Sequence, residues 1–202
     1  MKKPPITALT FTEQHYAALG KVIVAFQTLE MTITYGLLTL LQPEKLVFDS
    51  KLAIAIVNEH SFSNRLKLLL LFPSLTDALE LFPGDDGLTK VHLESYKEAV
   101  NLLNEGGVLA AEAESKRNQL IHSTWLHGSS VGGPEGTVLR IKSRVRKNKI
   151  HSSHEYIAAK EIEAVADAML TAQNKLHHAI QDLHFLMFAA LKPQDVEKKP
   201  SA

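Results

Sequence analysis

Two long stretches of this chain place apolar residues at alternating steps of three and four, and that spacing decides most of what the chain can become. From Thr12 to Leu41 the stripe runs Tyr16, Leu19, Ile23, Phe26, Ile33, Leu37 and Leu40; from Ala158 to Leu191 it runs Ile162, Val165, Met169, Leu176, Ile180, Leu183 and Leu186. This is the period of a helix with one buried face, so both stretches are predicted to be long helices packed in a core. Thr10 and Glu13 have capping-box spacing at the first start, and Pro43 and Pro193 follow the two ends.

Between them lie shorter signals. Leu52 to Val57 and Phe62 to Phe72 are apolar, and Pro73 is expected to break or kink the pattern before Leu75, Leu79 and Phe82, giving two or three short helices. After the turn chemistry of Pro83 to Gly87, helical spacing returns from Leu88 to Leu126, with a kink expected at Gly106-Gly107. Gly128, Gly132, Gly133, Pro134 and Gly136 mark a loop. Leu139 to Arg146 then alternates with period two, as one arm of a small β-hairpin would. The expected fold is all-α: an up-and-down helical bundle with a small β-hairpin inserted before the last long helix. One domain is expected over residues 1–191, followed by a disordered polar tail over 192–202.

Charge and cysteine content exclude several functions. In 202 residues, 22 Lys and Arg balance 22 Asp and Glu, so a globally basic polyanion-coating protein is excluded and any nucleic-acid contact is local. With no cysteine there is no disulfide, thiolate nucleophile or Cys-ligated zinc, which fits a reducing cytoplasm. No signal peptide is readable after Pro4-Pro5, and runs such as Leu68 to Phe72 fall short of a membrane span, so no membrane partner is expected.

The segment Lys116-Arg117-Asn118-Gln119-Leu120-Ile121-His122 is where the residues look chemical. An arginine, an amide and a histidine lie within about a turn and a half of one helix, with Asn118 and His122 on a shared face. Metal-free RNA cleavage needs a group of near-neutral pKa to move a proton at the 2′-hydroxyl or the leaving oxygen, and a fixed cation to meet phosphate charge. His122 and Arg117 supply one of each. The bland alternative pairs Arg117 with Glu114, Glu112 or a carboxylate on another helix, and leaves His122 as a helix-ending cation. Glu30 is one such carboxylate, unless Leu29 fills its place in the first stripe.

The segment resembles the Arg-x4-His motif of the HEPN superfamily, helical bundles whose active members are mostly RNA endonucleases; Asn118 matches the polar residue that usually follows the arginine. The resemblance implies catalytic positions at Arg117 and His122 and a supporting one at Asn118. It also implies a homodimer with a composite site, and a toxin or phage-defence role with an antitoxin or regulatory protein as a further partner. Thr124 stands where one branch of that superfamily has a tyrosine, so that branch's regulation is not carried over. A second match, Arg146 to His151, lies on the strand and loop.

Arg140, Lys142, Arg144 and Arg146 fall on one face of the expected strand, with no acidic residue from Thr137 to Ile150. Such a ribbon holds RNA phosphates without reading sequence, or guards an edge strand against pairing with other chains. His151, His154 and Glu155, or His177, His178 and His184, lack the spacing that dictates a metal sphere. There is no phosphate loop, Rossmann fingerprint or nucleophile elbow, and no cofactor or metal is expected. The leading expectation is a metal-independent HEPN-like endoribonuclease. The rival is a non-catalytic helical binding or scaffold protein that keeps the bundle.

Overall fold

A computed structural model describes residues 11–41, 59–75, 87–127, 132–146 and 149–191. Among them are four helices, α1 (Glu13–Leu41), α2 (Phe62–Leu75), α3 (Gly87–Ile121) and α4 (Ala159–Leu191), and three strands, β1 (Thr124–His127), β2 (Thr137–Arg146) and β3 (Lys149–Ala158). The structure is mainly helical with a small antiparallel sheet, in the order β1-β2-β3. Residues 52–57, the turn before Gly87 and the tail after Leu191 lie outside the described residues.

The chain divides into two compact units, residues 1–30 with 108–173, and residues 31–107 with 174–202. Each unit has its own core. In the first, Val22, Leu29, Leu120, Val138, Ile157, Ile162 and Met169 are buried. In the second, Ile33, Leu40, Leu69, Leu103, Leu176, Ile180 and Leu183 are buried.

Helix α4 follows its sequence pattern closely: of the seven predicted positions only Val165 is half-buried and the rest are buried. Helix α1 does not. Tyr16 and Ile23 are 58% and 44% exposed, and His15 and Val22, one position earlier, are buried instead. Both faces of α1 are apolar, so the three-four spacing fits two different stripes. For the same reason α1 is, by length and composition, long and apolar enough to cross a membrane, although no uninterrupted apolar run suggests it; 56% of its most apolar window is buried in the protein, as in a core helix.

The start of α1 is capped by Thr12, whose hydroxyl and carbonyl accept from the His15 backbone N–H at 3.4 and 3.0 Å. Thr10, the expected cap, lies outside the described residues. His15 is 1% exposed and has its polar atoms satisfied: Nδ1 accepts from the Thr12 hydroxyl at 2.6 Å while Nε2 donates to the Ile157 carbonyl at 3.4 Å. The ring thus ties the first turn of α1 to the end of β3.

At the two places where a break or kink is expected, the helices are continuous. Pro73 lies in the last turn of α2, two residues before the helix ends, and supplies no N–H for the Leu69 carbonyl; Ser74 Oγ donates to the Leu71 carbonyl at 2.7 Å. Helix α3 runs unbroken through Gly106-Gly107. A Cβ on Gly106 would lie 3.0 Å from Leu176 side-chain atoms and 3.1 Å from its backbone nitrogen. The glycine is there for close approach. In the other direction, α3 ends at Ile121, five residues before the predicted end, because Thr124 to His127 pair with Ile141 to Val138 as a third strand.

Gly106→Ala removes a helix-propensity penalty of about 1 kcal/mol, but drives a methyl onto a fully buried neighbour, so a net loss of roughly 1–2 kcal/mol is expected in urea unfolding. Gly20→Ala has open space around the new methyl and is expected to gain up to about 1 kcal/mol in the same measurement.

Candidate functional site

The last two turns of α3 carry the candidate residues. Their geometry follows from how the helix stops. The His122 N–H donates to the Asn118 carbonyl at 3.1 Å, Ser123 Oγ donates to the Gln119 carbonyl, and the Trp125 indole N–H donates to the Leu120 carbonyl at 3.0 Å. Three consecutive carbonyls that a helix end leaves without partners are satisfied in this way. Trp125 is in turn packed edge-on against Phe11, with ring centroids 5.5 Å apart.

Arg117 is half-buried on the side of α3 that faces α1. Its guanidinium lies over the Phe26 ring, 4.6 Å from the centroid, and its Nη1 donates to Asn118 Oδ1 at 2.9 Å. Nε is buried without a hydrogen-bond partner. Cation–π contact and one amide therefore hold the arginine.

Glu114, one turn earlier, feels the same charge. Burial holds its carboxyl above the usual glutamate range; the Arg117 cation pulls it down and the Glu30 carboxylate pushes it up. The two acids and the arginine form one electrostatic cluster. Glu30 is half-buried, and Leu29 beside it is fully buried and fills the α1 stripe.

His122 stands apart from this cluster. Five residues on from Arg117 it is rotated by about 140° round the helix axis. Its side chain is exposed, and among the described residues no hydrogen bond or ion pair engages the imidazole. The structure brings Arg117 and Asn118 together and leaves His122 in solvent.

The strand cations are placed as follows. Arg140 sits at the root of the hairpin, where Trp125 on β1 and Glu155 on β3 flank it in register. It is ion-paired with Glu155 and its side chain is only 15% exposed. Lys142 is half-buried opposite Ser153, while Arg144 and Arg146 occupy register positions opposite His151 and Lys149. From Lys142 onward β2 has β3 as its single neighbour, since β1 reaches only to Ile141. The cations are thus carried on a two-stranded arm.

Sequence reading missed a cleft of about 200 Å³ on the other side of α3. It is lined by Lys116 and Gln119 from α3, Arg140 from β2, Glu155 and Ile157 from β3, and Glu161 from α4, among others. The charges come from four different elements, so no local spacing could announce them. Among the described residues no three His, Asp or Glu side chains form a metal-ligand group. No model of a protein family matches this chain, and neither a curated protein nor a solved structure does.

Glu30→Gln removes a like charge from the cluster and is expected to lower the Glu114 pKa, read by carbon-detected NMR titration. Because that pKa is raised on folding, the native state holds the proton longer than the unfolded chain. Stability therefore falls as pH rises from the unfolded glutamate range through the folded value. Glu114→Gln is expected to melt higher than wild type at pH 8, with the difference disappearing in acid.

Proposed function

We propose that this protein is a metal-independent, HEPN-like RNA endonuclease that acts as a homodimer with a composite Arg117 and His122 site. The observation that supports it best is the exposed imidazole of His122, unengaged among the described residues and set one helical turn beyond a hydrogen-bonded Arg117–Asn118 pair. An imidazole ring carries one nitrogen that can donate a proton and one that can accept it, so it can move a proton in either direction.

In the proposed reaction the 2′-hydroxyl oxygen attacks the adjacent phosphorus and loses its proton to one histidine. The bond from phosphorus to the 5′-oxygen breaks, and that oxygen takes a proton from a second histidine. The products are a 2′,3′-cyclic phosphate and a free 5′-hydroxyl. With one candidate histidine in each chain's site, a two-fold pair of chains is the economical way to provide both. The Nη end of Arg117, oriented by Asn118, meets the charge that develops on the phosphate oxygens. The arm bearing Lys142, Arg144 and Arg146 supplies contacts to RNA phosphates away from the scissile bond. A cytoplasmic toxin or defence effector, held in check by an antitoxin or regulatory protein, is the setting this reading suggests.

One observation favours a second reading, a non-catalytic binding or scaffold protein. Arg117 is stacked on Phe26 with its Nε sealed from solvent, which is how a bracing arginine is held.

Incubation with mixed RNA in EDTA separates the two. The enzyme is expected to cut, with the rate falling at least about 100-fold in His122→Ala, a substitution at an exposed side chain. Arg117→Ala is expected to lose activity as well, and its melting curve shows whether the fold was lost with it. Intact RNA at every pH from 5 to 9, or a strict monomer by light scattering, removes the ribonuclease reading.

A further inference from the structure

The cleft on the far side of α3 has an unusual balance of donors and acceptors. Arg140 carries five N–H donors on a side chain only 15% exposed, yet among the described residues that side chain is bonded to a single carboxylate, Glu155. Lys116 and Gln119 enter the same cleft from α3, and among the described residues no group accepts from their side chains. On the acceptor side, Glu155 is engaged by Arg140, and one oxygen of Glu161 accepts from the Ala158 backbone N–H at 2.8 Å. Each carboxylate keeps further acceptor capacity.

That pattern selects a ligand. The surplus of N–H groups at Lys116, Gln119 and Arg140 calls for an acceptor-rich anion, and a phosphate group is the compact choice. A bare phosphate would also face two carboxylates, which repel it. A ligand with an anionic head and hydroxyl donors beside it satisfies both walls. At about 200 Å³ the space holds a phosphate together with a sugar, and leaves a base in solvent.

We propose that this cleft binds one ribonucleotide unit, its phosphate against Lys116 and Arg140 and its ribose hydroxyls toward Glu155 and Glu161. The 2′-hydroxyl is the group that separates RNA from DNA, and here it donates to a carboxylate oxygen. The site lies in the same unit as the candidate catalytic residues. It rests on the RNA reading for the class of ligand but not on cleavage.

Trp125 reports on the cleft. It is the chain's single tryptophan, and its indole is bonded to the carbonyl of Leu120, one of the residues lining the cleft. Full-length protein is titrated with AMP, 2′-deoxy-AMP, adenosine and inorganic phosphate, by tryptophan fluorescence and by calorimetry. AMP is expected to bind with a Kd below about 1 mM. Deoxy-AMP, adenosine and phosphate should each be weaker by roughly fivefold or more, since each lacks one set of the cleft's hydrogen bonds. Lys116→Gln is expected to weaken AMP by about tenfold, and Gln119→Ala by less. Lys97→Gln, an exposed lysine in the other unit, controls for loss of charge and should leave AMP affinity unchanged.

Phosphate binding as tightly as AMP, or AMP binding the Lys116→Gln protein as well as wild type, overturns the proposal. So does the absence of AMP binding. These titrations do not depend on cleavage. A protein that binds AMP through Lys116 and leaves RNA intact keeps this site and loses the nuclease, whereas a protein that cuts RNA and ignores AMP does the reverse.

Discussion

The end of α3 is the constraint on which the first unit depends. Three adjacent carbonyls, at Asn118, Gln119 and Leu120, are each taken by a donor from the four residues after Ile121. A helix end buried without such partners would be costly. Satisfying them turns the chain sharply enough for Thr124 to enter the sheet beside Ile141. Everything of chemical interest is set by that turn: the solvent position of His122, the packing of Trp125, and the place of Arg140 beside α3.

The same turn separates two charge environments on one helix. On the side facing α1, Arg117 is shared between an aromatic ring, an amide and the field of two carboxylates. On the other side, Lys116 and Arg140 meet Glu155 and Glu161 around open space. Neighbouring residues 116 and 117 thus carry the same charge into different surroundings, because successive residues are about 100° apart on a helix.

Much of the fold was legible in the residues, and the misses have physical causes. The stripe of α4 is readable because its other face is mostly polar, Leu170, Phe185 and Phe188 being too scattered to form a competing stripe. That of α1 is ambiguous because Tyr16, Ile23 and Val24 offer a second apolar face. Strand β1 was invisible: four residues are too few to show a period, and their pairing partner begins ten residues after His127. The close approach at Gly106 was not legible, because helix propensity knows nothing of Leu176. At the site, the proximity of Arg117 and Asn118 followed from adjacency. Phe26, Glu155 and Glu161 come from distant parts of the chain, and no spacing rule reaches them.

The division of the chain into two units also bears on how such a protein can be inherited. Helices α1, α3 and α4 each supply residues to both units, with the boundaries falling at 30, 107 and 173, inside continuous helix. Neither unit is a cassette. A gene rearrangement that carried off one of them would have to cut three helices in mid-span, so any ancestor or descendant is expected to possess both or neither.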